Sequence, residues 1–281
     1  MLNQIVFLTI EFPPQVGGIA HYLYEIVRHL PPARVRVITA TVEGWEAFDA
    51  QQDYSIRRFD LPAVRSPLFA GQLKTLVPLW WSKKLLQERQ ADIILCGSAH
   101  PSLMVLAWLR QRIRGTPYGV FTHGLDLLFP QTRIYRSLFN ALLRAAQVVF
   151  TNGKTTEDIV QGLEVQPDRI HVVHPSVDPA KLTSEIPLEA VRQRHGLKNK
   201  RCILTVGRLV ERKGHDMVIR TMPGIIEAVP ESHYLIVGTG PVEARLKTLV
   251  AELGLEACVT FAGYVPDEEL AAYYRACDVF A

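Results

Sequence analysis

The chain has 281 residues, 48% of them hydrophobic and 21% charged, an ordinary globular composition with length for two domains and a sizeable core. No uncharged apolar run approaches the roughly 20 residues of a membrane span, and the start, MLNQIVFLTIEF, has no basic n-region, so it reads as a buried strand and not as a signal peptide. The net charge of +3 is uneven: residues 57–114 hold ten Lys/Arg against three Asp/Glu, a basic segment of the kind that faces nucleic acid, an anionic membrane or an acidic substrate.

Taken in chain order, QIVFLTI (4–10) predicts a buried strand, and IAHYLYEIVRHL (19–30) a helix with Ile19, Leu23, Ile26, Val27 and Leu30 on one face. RVRVITA (34–40), YSIRRFDL (54–61) and ADIILCGS (91–98) read as strands, PSLMVLAWLRQRI (101–113) as a helix, and TPYGVFTHG (116–124), AAQVVFTNG (145–153) and DRIHVVHPSVD (168–178) as further strands. Near-continuous apolar strands alternating with helices are the signature of a parallel sheet covered on both faces. Polar residues and prolines dominate after Asp178, which sets the expected boundaries: a first domain at 1–180, a linker at 181–198 and a second domain at 199–281. In that second part RCILTV (201–206), HYLIV (233–237), CVTFAG (258–263) and CDVFA (277–281) predict strands, with helices between them, and Pro223-Gly224 should kink or interrupt the first of those helices. The last strand has barely begun at Ala281, so the chain is expected to be a fragment with an incomplete second domain. Cys96, Cys202, Cys258 and Cys277 stand singly, without metal or redox spacing, and read as reduced, buried cysteines of a cytoplasmic protein.

The chemistry sits in loops that follow a strand and open a helix, where unpaired N–H groups and the positive end of the dipole meet. Gly17-Gly18 fits an approaching phosphate, but on its own the pair favours a tight turn. In VGRLVERKGHD (206–216), Arg208 and Lys213 form a candidate diphosphate clamp, a guanidinium fork beside a compact ammonium; the bland reading is two solvated cations, which is how Arg212 reads. Gly238 and Gly240 in GTGP serve either close ligand approach or helix packing, and THGLD (122–126) puts His123 and Asp126 at a strand end. Asp178 reads as a residue that orders the hinge. No Asp-x-Asp pair, His/Cys cluster, nucleophile elbow or Walker loop occurs, so no metal site is expected. In LFAGQLKTLVPLWWSKKLLQ (68–87), Trp80-Trp81 beside Lys83-Lys84 suits either a helix packed into the first domain or an interfacial helix on an anionic membrane.

FPPQVGGIAHYLYEIVRHL, THGLD, HPSVD, VGRLVERKGHDMVI, LIVGTGP and VTFAGYVPDEELAAYYRACDVF together resemble, in order and spacing, the retaining glycosyltransferases of the GT-B fold, family 4. The resemblance runs nearly end to end, is most specific over 203–280, and is greatest to bacterial phosphatidylinositol mannoside mannosyltransferases. It implies an α/β protein of two Rossmann-like, doubly wound domains facing across a cleft, with a nucleotide sugar (GDP-mannose or a UDP-hexose) as substrate, no separate cofactor, and a glycan or lipid acceptor. It implies that Arg208 and Lys213 hold the diphosphate, that Gly17 and Gly18 bring main-chain N–H groups to the same donor, that His123 touches the transferred sugar near its 6-hydroxyl, and that Gly263, Tyr264 and Val265 border the base pocket. The family's Glu-x7-Glu pair does not occur in this chain, and Ser176 stands where Gly is common. Two other readings remain open at this point: a nucleotide-sugar binding protein without transfer activity, and a GT-B sugar-nucleotide epimerase. Nucleic-acid binding is not expected, since the basic segment lacks a docking motif. The expected location is the cytoplasm, with peripheral contact at the inner face of the plasma membrane through 68–87.

Overall fold

A computed structural model describes residues 4–60, 91–128, 133–177, 183 and 185–281. The interfacial-helix segment 68–87 and Asp178 lie outside the described residues. The chain divides into two compact units, Met1–Ser176 and Val177–Ala281.

In the first unit, strands β1 (Ile5–Leu8), β2 (Val35–Ala40), β3 (Ser55–Phe59), β4 (Ile93–Cys96), β5 (Tyr118–Thr122), β6 (Val148–Thr151) and β7 (Ile170–Val172) form one parallel sheet in the order β3-β2-β1-β4-β5-β6-β7. Six described helices accompany it: α1 (Gly18–Val27), α2 (Trp45–Asp49), α3 (Pro101–Arg114), α4 (Leu125–Leu128), α5 (Arg133–Ala145) and α6 (Lys154–Gly162). Side chains alternate across the sheet. Val6, Leu8 and Ile94 turn to one face, against Leu103, Met104 and Ala107 of α3 and Phe139, Leu142 and Leu143 of α5. Phe7, Val37, Leu95 and Phe121 turn to the other, against Tyr22, Leu23 and Val27 of α1. Burial on both faces is what makes these strands apolar nearly throughout. α3 has clear ends: the His100 side chain accepts from Ser102 N at its start, Pro101 occupies its first turn, and Gly115 at φ 73° stops it.

The order reverses between β1 and β4, which run into opposite halves of the sheet. In open α/β sheets that switch point, at the carboxyl ends of the strands, is where ligands bind. The loop after β1 is held there from two sides. Phe12 is buried, with the rings of Tyr24 and Phe48 edge-on to it at 6.3 Å. Arg58 of β3, its side chain 2% exposed, forks onto Asp49 (Nε to Oδ2 3.0 Å, Nη2 to Oδ1 2.7 Å) and also donates to the carbonyls of Ala40 and Pro13.

The second unit carries a parallel sheet in the order β10-β9-β8-β11, from β8 (Arg201–Val206), β9 (Ser232–Val237), β10 (Val259–Gly263) and β11 (Val279–Phe280). Its helices are α7 (Leu188–Arg194), α8 (His215–Ala228), α9 (Glu243–Glu252) and α10 (Asp267–Ala276). α7 falls within the segment read as linker. Its polar composition hides two anchors, Val191 and Leu197, buried against Ala272 and Tyr273 of α10. Arg192 of α7 also donates to the carbonyls of Leu197, Lys200 and Ala276. α8 is not interrupted at Pro223-Gly224: both residues are exposed, while Ile219 and Met222 hold its other side in the core.

Removing the Arg58 fork leaves the Asp49 carboxylate without its cation and two carbonyls without a donor. Arg58→Ala is expected to lower unfolding free energy by about 3 kcal/mol, read by urea denaturation; a loss below about 1 kcal/mol would show that the fork contributes no more than a surface pair.

Candidate functional site

In the second unit the loops after β8, β9 and β10 lie backbone to backbone. Leu209 N donates to Thr239 O (3.0 Å), Val242 N to Leu209 O (3.3 Å) and Gly238 N to Gly263 O (2.7 Å). Gly238 sits at φ +129°, and a Cβ there would lie 2.1 Å from Gly207 O; one at Gly240 would lie 2.2 Å from Leu209 O. The missing side chains of Gly238 and Gly240 therefore make room for the main chain of the loop after β8.

This packing aims the basic residues outward. Leu209 is buried, and Arg208 and Lys213 on either side of it are exposed. The Lys213 chain runs past Gly207, where a Cβ would stand 3.8 Å from its Cε. Glu211, the acid of this loop, is drawn off to Arg245 on α9 at 2.8 Å, and among the described residues neither Arg208 nor Lys213 has a carboxylate partner. Gly214, at φ 70°, turns the chain into α8, whose first turn has no side-chain cap. His215, 2% exposed, places Nε2 3.4 Å from Arg208 O, so that nitrogen carries the proton. Burial, with Lys213 adding to it, holds the imidazole below its usual range and hence neutral, and Nδ1 has no partner. Of the three residues expected at a base pocket, Tyr264 is 69% exposed, Gly263 takes φ +71° with open space around it, and the Val265 side chain is in the core, 6% exposed.

In the first unit Gly17 is extended (φ 173°, ψ 152°), a conformation any residue adopts, and a Cβ at Gly17 or Gly18 would meet nothing within 4 Å. A tight turn at positive φ is thus not what the pair is for. The first turn of α1 has neither a side-chain cap nor an acidic residue, and its first helical bond is His21 N to Gly17 O at 2.9 Å. Its leading N–H groups and positive dipole end are open to an anion.

His123, after β5, is fixed on every side but one. Its N–H donates to Asp126 Oδ1 (2.9 Å), its Nε2 to Gly97 O (2.8 Å), and Tyr22 stands edge-on to the ring at 5.5 Å. Asp126 Oδ2 takes the Ala99 N–H at 2.9 Å. Tyr22 donates to Val173 O (2.7 Å), and burial pushes its hydroxyl up to about 12. With Nε2 protonated, Nδ1 of His123 is left as a fixed acceptor. The loops after β1 and β4 touch closely here: Gly97 N donates to Leu8 O (2.9 Å), and a Cβ on Gly97 would fall 2.6 Å from Thr9. The parts that Thr9, Gly97 and His215 play in holding these loops were not legible in the sequence.

The family model described as Glycosyltransferase Family 4 matches residues 16–181, and the one described as Glycosyl transferases group 1 matches 189–281. Over 278 residues, 99% of this chain and 72% of the relative, the chain is 28% identical to a GDP-mannose-dependent alpha-(1-6)-phosphatidylinositol monomannoside mannosyltransferase of Mycolicibacterium smegmatis. It is 30% identical to a 2-deoxystreptamine glucosyltransferase of Streptomyces kanamyceticus, over 80% of this chain and 62% of that one. Its fold matches that of Anabaena Alr3699/HepE, solved in complex with UDP, with a TM-score of 0.77 at 21% identity over 99% of this chain and 73% of that one.

The two glycine pairs should separate on substitution. Gly240→Ala drives a Cβ into main chain and is expected to cost about 2 kcal/mol or more, whereas Gly18→Ala, in the first turn of a helix, should be neutral or up to about 1 kcal/mol stabilising. Thermal melts of both variants check this; a Gly18→Ala protein as unstable as Gly240→Ala would mean the pair is structural.

Proposed function

The chain belongs to Glycosyltransferase Family 4, and on that premise we propose that it is a retaining hexosyltransferase, moving mannose or glucose from GDP-mannose or a UDP-hexose to a glycan or lipid acceptor. The observation that carries this reading is the Arg208/Lys213 pair, exposed and, among the described residues, without a carboxylate partner at the head of a helix that has no side-chain cap. A loop that sends its one acid to a neighbouring helix and keeps two cations free is built for an anion. The relatives' names point the same way, toward donors and acceptors of this class.

In the proposed reaction the bond from the sugar's anomeric carbon to the phosphate oxygen breaks as an oxocarbenium-like state forms, and negative charge grows on the leaving diphosphate. Arg208, Lys213 and the open N–H groups of α8 stabilise that charge, and the amides at Gly17 and Gly18 form the first unit's own proposed anion site. A leaving phosphate oxygen takes the proton of the acceptor hydroxyl on the same face of the sugar, and the new glycosidic bond keeps the anomeric configuration. His215, neutral and buried, holds the Arg208 carbonyl and so the direction of its side chain; His123 offers Nδ1 to a sugar hydroxyl; Tyr264 offers its ring to the base. The first unit serves the acceptor and the second the donor.

No helix among the described residues is long and apolar enough to cross a membrane. For a lipid acceptor, the basic stretch with Trp80-Trp81 and Lys83-Lys84 provides the surface contact; co-sedimentation with vesicles that is indifferent to anionic lipid and to salt would remove it.

Arg208→Ala and Lys213→Ala should each lower kcat by about 10²–10³, and Gly18→Ala should weaken donor binding in calorimetry while the protein stays folded. Transfer within a few-fold of wild type in both cation variants would overturn the clamp.

A further inference from the structure

We propose that His215 takes up a proton when the nucleotide sugar binds, so that a buried imidazolium stands behind Arg208 and Lys213 and strengthens their hold on the diphosphate; this rests on the transferase reading above. The ring is the first residue of α8 and is 2% exposed. Its Nε2 donates to Arg208 O at 3.4 Å, and its Nδ1 is buried without a hydrogen-bond partner among the described residues. Nε2 carries its proton in the neutral and in the charged ring alike. The bond to Arg208 O therefore survives protonation, and only Nδ1 changes state. His215 is thus a positioning residue whose charge is free to follow the ligand.

Without donor the ring is neutral. Burial first of all, and the Lys213 cation, hold the imidazole below its usual range, against the hydrogen bond to Arg208 O and the Asp216 carboxylate, which raise it. The ring also heads α8, and the positive end of a helix disfavours an imidazolium. The other charges around it are balanced or distant. On α9, Arg245 is paired with Glu211 and Lys247 with Glu243, while Glu252 lies with Asp216 and Arg220 between the two helices. The loop after β9, residues 238–242, has no ionisable side chain. A diphosphate held by Arg208 and Lys213 reverses two of the opposing influences: it outweighs the Lys213 charge with the opposite sign, and it neutralises the head of α8. Proton and donor are then linked, each raising the affinity for the other by the same factor.

His233 provides the control. It is as deeply placed, 5% exposed, with Nε2 at the Thr260 hydroxyl (2.8 Å) and Nδ1 likewise without a partner. It pairs in register with Cys202, near the start of β8, so it stands at the other end of the sheet from the clamp, with Lys200 and His195 as its charged neighbours.

The sign of the pH effect follows. Because burial favours the neutral ring of His215, the unfolded chain takes the proton first; this part of the stability is present above the ordinary histidine range and is lost as pH falls through the depressed folded pKa. Donor binding opposes that loss, so the rise in melting temperature given by GDP-mannose or UDP-glucose should be larger at about pH 6 than at about pH 8. Calorimetry of the full chain with each nucleotide sugar, in buffers of different ionisation enthalpy, counts the protons; a nucleotide sugar's diphosphate is a diester with no proton to exchange near neutrality. Wild type should take up a proton on binding and bind about 3- to 10-fold more tightly at about pH 6 than at about pH 8. His215→Gln keeps an amide N–H for Arg208 O and cannot titrate. It should bind much as wild type does at the higher pH, take up no proton and lose the pH dependence, while His233→Gln should keep both. Histidine nitrogen NMR of wild type reads the same event without a substitution: donor must raise the pKa of a buried ring. Donor binding without proton uptake in wild type, or an uptake or pH slope that persists in His215→Gln, overturns the proposal. Failure of the transferase reading looks different: wild type then binds neither GDP-mannose nor UDP-glucose, and the role of His215 falls with it.

Discussion

A parallel sheet packed on both faces has no free surface except at the ends of its strands. That constraint organises this chain. In each unit the apolar strands commit their side chains to two layers of helices, and the polar chemistry is confined to the loops at one rim. There the problem becomes steric: three loops from adjacent strands need the same volume. The chain solves it by leaving side chains out: Gly97 makes room for the Thr9 and Leu23 side chains, and Gly238 and Gly240 for the main chain at Gly207 and Leu209. Rigid loops follow, and rigid loops fix the direction of the side chains they carry.

Charge is sorted on the same rim. The Glu211–Arg245 pair is solvent-exposed and contributes little stability. Its value is where it puts the acid, away from Arg208 and Lys213. In the first unit Asp126 accepts hydrogen bonds from two main-chain amides, those of Ala99 and His123.

Much of the strand and helix order could be read from apolar runs and turn residues, because burial on both faces writes itself directly into strand composition. α5 went unread although Phe139, Leu142 and Leu143 carry a helical repeat, and α6 shows only two buried positions, Thr156 and Val160, in a polar stretch. α7 hid inside a polar segment because two residues, Val191 and Leu197, suffice to anchor it. The glycines were the hardest to read. Gly17-Gly18 and Gly238/Gly240 look alike as letters after a strand, yet the first pair faces open space and the second faces carbonyl oxygens about two ångströms from a virtual Cβ. Val265 likewise stands beside an exposed Tyr264 in sequence and is itself buried.

The open space at Gly17 and Gly18 has a consequence for anyone who would engineer this chain. Nothing inside the fold resists a larger residue there, and a better helix former would be rewarded by any selection that measures heat resistance alone. If the pair serves the donor as proposed, thermostabilisation without a functional screen would drift toward a protein that is sturdier and has lost its ligand, with no misfolding to betray the loss.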